Sequence, residues 1–242
     1  MQTISPHWSV PAHVRALTTT RAGGASVGAY ASFNLGDHVG DDVAAVRVNR
    51  ATLRTELALP NEPLWLKQVH GISIVNAALA QTAATADGAW TDQRGIVLAV
   101  LSADCLPVFL CDRKGTRIAL VHAGWRGLAA GVIEAGVRAL SVPANDLTAH
   151  LGPGIGPDAY EVGEDVRDTF VSVDPAAAVA FRTRPGGKWL ADMYALARLR
   201  LGALGVRQIT GGDRCTLRER DVFYSYRRDG ATGRMASLLW LE

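Results

Sequence analysis

The chain has 242 residues, 48% of them hydrophobic and 20% charged, a balance that reads as a soluble globular protein with a substantial core. Its 25 lysines and arginines against 23 acids leave a formal charge of +2, too little to predict nucleic-acid binding, and no run approaches the roughly twenty apolar residues that span a bilayer. Cys105, Cys111 and Cys215 form a sparse, odd set with no secretory leader before them, which fits a reducing compartment better than a disulfide framework, so a cytoplasmic location is expected.

In chain order, Thr18-Thr19-Thr20 is β-prone, and Arg21-Ala22-Gly23-Gly24 supplies a turn able to approach a ligand. Asp41-Asp42 starts a helix expected over about 42–58, which stops at Pro60. The segment from Leu64 to Val75 reads as a strand, with a turn or bulge at Gly71. Ile96 to Leu101, Pro107 to Cys111 and Arg117 to His122 read as short buried strands, so Cys105 falls in the first connection and His122 ends the third strand. A helix is expected from Gly127 to Leu140, although Gly131 and Gly136 weaken it. Leu147 to Leu151 is another strand, followed by a turn through Gly152-Pro153-Gly154-Ile155-Gly156-Pro157. Helices at about 162–171, 174–181 and 190–204 and strands at 206–210 and 235–241 complete the reading. Strands interleaved with helices in no regular βαβ rhythm favour mixed α+β. No linker, charge block or repeat divides the chain, so residues 1–242 read as a single domain.

His70, Cys105 and His122 each interrupt apolar surroundings beside polar neighbours: Gln68, Asp104 and the Trp125-Arg126 pair. Two imidazoles and one thiolate suit zinc and leave a fourth position open for water or substrate. The same residues also permit a Cys105 nucleophile activated by His122 or His70, and taken singly each has a plain structural reading as a packed side chain. Tyr224-Ser225-Tyr226-Arg227-Arg228-Asp229-Gly230, then Gly233-Arg234, gathers three guanidiniums and two phenols. Guanidinium forks hold phosphate or carboxylate and tyrosine faces stack on a planar base, so an anionic or nucleoside-like ligand fits; a solvated basic strand end fits as well.

Together these segments resemble the YfiH-type family, also called the multicopper polyphenol oxidoreductase or laccase family, with purine nucleoside phosphorylases among its members. The matching stretches are Thr18 to Gly24, Asn34-Leu35-Gly36, Gln68-Val69-His70-Gly71, Ala86-Asp87-Gly88, Ala103-Asp104-Cys105, His122 to Gly127, Gly152 to Pro157, Tyr160 to Gly163 and Cys215 through Arg234. The resemblance implies a layered α/β/β/α mixed β-sandwich flanked by helices, similar to cytotoxic-necrotizing-factor-like cysteine hydrolases. It implies zinc on His70, Cys105 and His122, with copper possible at the same site. It further implies phosphorolysis of adenosine, inosine and S-methyl-5′-thioadenosine, with adenosine deamination beside it. On that reading the partners are a purine nucleoside and phosphate, with no nucleic acid and no membrane. Arg228 and Arg227, then Arg126 and Arg21, are expected to hold phosphate, Asp104 to protonate the base, and Asn34, Gln68, Tyr224 and Tyr226 to contact substrate. Some members are described instead as editing a UDP-muramoyl peptidoglycan precursor, the task of a Cys–His amidohydrolase, and older naming makes the family a laccase. Several copper centres need many histidines, and this chain has six.

Overall fold

A computed structural model describes residues 1–242. In chain order its elements are β1 (Thr3–Ile4), β2 (Val14–Thr19), α1 (Val43–Glu56), β3 (Ile74–Asn76), β4 (Gly88–Thr91), β5 (Val97–Ser102), β6 (Leu106–Asp112), β7 (Ile118–Ala123), α2 (Trp125–Ala130), α3 (Val132–Leu140), β8 (Leu147–Leu151), β9 (Glu161–Val162), α4 (Glu164–Val171), β10 (Phe181–Arg184), β11 (Lys188–Ala191), α5 (Met193–Leu204), β12 (Gln208–Gly211), α6 (Tyr226–Asp229) and β13 (Met235–Leu241). No helix is long and apolar enough to cross a membrane.

The apolar runs form strands covered on both faces, which is why they lack a polar side. In β5, Val97, Ala99 and Leu101 face one cluster and Leu98 and Val100 another. The first cluster includes Leu53 of α1 and Ala236, Leu238 and Trp240 of β13. The second lies between the sheets, where Leu98, Val100, Leu239 and Leu241 meet Phe109, Cys111, Ile118 and Leu120. The opposite faces of β6 and β7, through Leu106, Val108, Leu110, Ala119 and Val121, pack on Ile133, Val137, Leu196 and Leu201 of α3 and α5. Alternation at period 2 thus sends the two faces of each apolar strand into different cores, three in all, and the outcome is four layers: helix, sheet, sheet, helix. The first sheet runs β1-β2-β13-β5 and the second β12-β8-β6-β7-β4-β3, with a small sheet β10-β11-β9 beside them.

Several expected elements differ. Of the stretch from Leu64 to Val75 only Ile74 and Val75, the start of β3, are strand: Leu64 and Lys67 make only isolated bridges to Leu98 and Thr85, and the amides of Val69, His70 and Gly71 are taken by a side chain instead of a ladder. The helix expected over 127–140 starts earlier and breaks in two, because Gly131 adopts φ +100, a left-handed conformation that ends α2 before α3 begins. Residues 175–180 form a 3₁₀ turn capped by Asp174, and Glu161–Val162 and Lys188–Ala191 are strands that delay α4 and α5. Strands β4, β10 and β11 were not expected; β10 is short and three of its four residues are exposed, so it carries no apolar pattern to read.

Candidate metal centre

β5 ends in the first sheet and β6 begins in the second, and Cys105 occupies the crossover between them. Asp104 ahead of it has φ 97, which turns the chain sharply. Its carboxylate holds that turn, one oxygen accepting from Thr216 Oγ1 at 2.6 Å and the other from the Arg227 amide at 2.7 Å. His122 lies near the end of β7, paired with Pro107 in the neighbouring strand and buried. His70 comes from the irregular segment ahead of β3 with φ 59, a backbone state few non-glycine residues adopt.

Asp87, fully buried, explains that state. Its Oδ1 accepts from the His70 amide at 2.8 Å and pairs with His122 Nδ1 at 2.9 Å; its Oδ2 accepts from Gly71 at 2.6 Å and from Val69 at 3.2 Å. One carboxylate therefore fixes the loop that carries His70 and the ring orientation of His122. With Nδ1 bonded to Asp87, His122 presents Nε2 to the cavity, the carboxylate–histidine arrangement that orients metal ligands. Burial pushes the Asp87 carboxyl upward, but the bonds from His122, Gly71 and Val69 outweigh it and hold the group below its ordinary value.

The ligand atoms of His70, Cys105 and His122 lie within 4.8 Å of one another. Cys105 Sγ is 3.7 Å from His70 Nε2, and the two imidazoles meet edge to face with centroids 4.9 Å apart. Tetrahedral zinc, with Zn–S of about 2.3 Å and Zn–N of about 2.0 Å, separates sulfur from nitrogen by about 3.5 Å, so the donor set fits such an ion with little movement. Burial raises the Cys105 thiol, but the His122 and His70 imidazoles prevail and draw it below its ordinary value; burial likewise disfavours a charged His122, but Cys105 and Asp87 raise it. The pocket favours thiolate, as a metal ligand requires.

These residues form part of a cavity of about 560 Å³ that also includes His38, Gln68, Ser102, Asp104, Trp125, Arg126, Ile155, Tyr160, Tyr226, Arg227 and Arg234. The expected site residues divide. Gln68 lies on the wall, pinned to β5 by a pair of bonds to the Leu101 backbone at 2.7 and 2.8 Å. Arg126 stacks on Trp125, Arg227 lies over the Tyr160 ring and donates to the Glu161 carbonyl, and Tyr226 is 61% exposed at the mouth. Four others are placed elsewhere. Arg228 directs its guanidinium to the Thr216, Leu217 and Phe223 carbonyls and to Asp229, leaving nothing for a ligand. Arg21 bonds the Ala31 and Arg220 carbonyls and stacks on Tyr224, itself fully buried and bonded to the Tyr30 carbonyl. Asn34 is buried, with its amide committed to Gly36, Asp41 and the Arg234 amide. The resemblance had drawn these four to the site, with local clustering adding Arg228 and Tyr224; their polar atoms instead satisfy buried backbone, the commoner task of such groups. Asp87 was not singled out by spacing, although it lies within a matching stretch, and Arg234, counted among the three clustered guanidiniums, was given no role of its own.

A layered α/β/β/α protein with a three-residue, metal-competent centre at the end of its paired sheets is the class that fold and site define. The chain belongs to the multi-copper polyphenol oxidoreductase laccase family, whose model matches residues 15–242. It is 50% identical over 240 residues to a purine nucleoside phosphorylase of Pseudomonas aeruginosa, covering 99% of this chain and 98% of that one. It is 49% identical over 239 residues to purine nucleoside phosphorylase YfiH of Escherichia coli, covering 98% of each. Among solved structures, protein NMB0706 of Neisseria meningitidis superposes with a TM-score of 0.96 at 51% identity over the whole of both chains. YlmD of Geobacillus stearothermophilus gives 0.89 at 34% identity, covering 100% of this chain and 98% of that one.

Proposed function

We propose that this protein is a zinc-dependent purine nucleoside phosphorylase acting on adenosine, inosine and S-methyl-5′-thioadenosine, with adenosine deamination as a second activity. The observation that carries this is the His70, Cys105 and His122 cluster, open on the side of a guanidinium-walled cavity, in a chain half identical to relatives named for that reaction. His70, Cys105 and His122 would hold the metal, which supplies Lewis-acid polarisation of an oxygen or of bound water. Copper could occupy the same three ligands.

In phosphorolysis a phosphate oxygen forms a bond to the anomeric carbon of the ribose. The bond from that carbon to the purine nitrogen breaks, its electron pair leaving with the base, which takes up a proton. Arg227 and Arg126, both on the cavity wall, suit the charge of the phosphate, and exposed Tyr226 offers a face for the base. Gln68 is held rigidly by Leu101 and lines the same space. Asp104 already accepts from Thr216 and Arg227, so its part is to hold the Cys105 turn and α6 in place. The three core layers share strands across residues 1–242, which supports reading the whole chain as one domain.

A second reading, a Cys105–His122 amidohydrolase acting on a UDP-muramoyl precursor, draws on the nearness of the Cys105 thiol to His122, within 4.8 Å, and on the bond from His122 to Asp87, which through one imidazole make a thiol–imidazole–carboxylate set. A multicopper oxidase is disfavoured by the histidines: His13 bonds the Gly115 carbonyl and His150 bonds Thr210, both outside the cavity.

Protein of verified metal content, incubated with adenosine and phosphate, is expected to yield adenine, ribose 1-phosphate and inosine, to lose these activities on chelation, and to regain them with zinc. No free base and no inosine would overturn the purine reading, and amidase activity surviving exhaustive chelation, with covalent labelling at Cys105, would establish the second.

A further inference from the structure

Three guanidiniums line the cavity, and they differ in one respect. Arg126 and Arg227 are exposed, the first resting on Trp125 and the second on Tyr160 with one bond to the Glu161 carbonyl, whereas Arg234 is half-buried and held along its whole length. Its backbone amide donates to Asn34 Oδ1 at 2.8 Å, its carbonyl accepts from the Leu35 amide at 3.2 Å, and its NH1 donates to the Thr232 and Gly233 carbonyls. Gly36 completes the seat: a Cβ there would stand 2.8 Å from Arg234 Cγ, so the aliphatic stem lies directly on the glycine backbone. The loop Asn34-Leu35-Gly36 thus positions Arg234, which explains a buried asparagine that no ligand reaches.

The guanidinium has no carboxylate partner. Nε and NH2 make no hydrogen bond, and the neighbouring Asp104 has both carboxylate oxygens engaged by Thr216 and Arg227. A desolvated cation with two donor nitrogens left unbonded is costly, and an incoming anion would relieve that cost. Ser102, opposite Met235 in the β5–β13 ladder and therefore beside Arg234, lines the same wall, is 2% exposed and carries a hydroxyl with no partner. Arg234 also lies over the Tyr226 ring, 5.8 Å from its centroid, next to the place proposed for the base.

We infer that Arg234, seated by Asn34-Leu35-Gly36, is the principal anchor for the phosphate co-substrate. This rests on the phosphorylase reading and assigns to Arg234 the leading part in a task expected first of Arg228 and Arg227. A fixed fork loses little freedom on binding, so it contributes more per hydrogen bond than the exposed arginines.

Inorganic phosphate is titrated calorimetrically into the zinc-loaded protein, with and without adenine, and KM is measured separately for phosphate and adenosine. Arg234→Met is expected to weaken phosphate binding and raise its KM by about tenfold to a hundredfold, with the adenosine KM moving by less than about twofold. Gly36→Ala, which keeps the guanidinium but displaces its stem, is expected to raise the phosphate KM by a smaller factor. If Arg234→Met does not fold, Arg234→Lys and Gly36→Ala carry the test, since both keep the charge and alter only its fork or position. Unchanged phosphate binding and KM in folded variants would overturn the anchor and leave the phosphorylase reading standing. If the native protein performs no phosphorolysis, the calorimetry still decides: phosphate binding lost in the variants supports the anchor, and no binding by the native protein overturns it.

Discussion

Asp87 reaches both histidines of the cluster and three consecutive backbone amides, so its charge and its acceptor geometry matter separately. In Asp87→Asn, one oxygen becomes an amide nitrogen that cannot accept from either the loop amides or a protonated His122 Nδ1. Zinc affinity, measured by competition with a chromogenic chelator, is expected to fall about tenfold to a hundredfold, the usual range for the loss of a partner behind a metal ligand. None of this could be read from spacing. Asp87 stands 17 residues from His70 and 35 from His122, and a lone aspartate before a glycine looks like any turn residue. His70, Cys105 and His122 were legible because histidine and cysteine are uncommon and each interrupts an apolar setting. Arg228 shows the opposite case: its position in a basic run suggested a ligand, but five bonds to backbone and Asp229 fill its valence.

Among elements, α2 begins where the cluster ends, and Gly124 joins the two. A Cβ on Gly124 would stand 2.5 Å from His70 Cδ2 and 3.1 Å from Cys105 Sγ. Its φ of −67 and ψ of 158 suit any residue, so Gly124→Ala strains no backbone and acts by crowding the ring alone. The expected outcome is a folded protein with unchanged far-ultraviolet dichroism but substoichiometric zinc; full zinc occupancy would show that His70 can shift without loss. Strands β5 to β8 and β13 were legible because apolar runs of five to seven residues bounded by turn residues have few alternatives. The segment before β3 was not, since its buried residues Leu64, Trp65 and Leu66 are consecutive and its amides answer to Asp87, a partner distant in sequence.

At the scale of the whole molecule, acid should act through His150 in β8. Burial holds its imidazole down to about 4, with His7 and Arg198 pushing the same way and Asp213 opposing them. Below the ordinary histidine value near 6.5 the unfolded chain takes up a proton that the folded chain refuses, so stability falls as pH drops from about 6.5 towards 4. The loss attributable to this group approaches about 3 kcal/mol at the acid end. Denaturant midpoints across that range are expected to slope in the native protein and to flatten in His150→Gln; parallel slopes would assign the acid sensitivity elsewhere.

β13 lies between β2 and β5 in the first sheet, and the Thr18–Ser237 hydroxyl pair, 2.8 Å apart, joins residues separated by 219 positions. Closing so long a loop costs entropy before any contact offsets it, and topologies built this way fold slowly. Arg234 immediately precedes β13, and Cys105 follows the β5 edge on which β13 docks, so the centre gains its full set of groups only when that strand arrives. Competence for chemistry is therefore expected to appear only once β13 has docked between β2 and β5, whatever order the remaining elements form in.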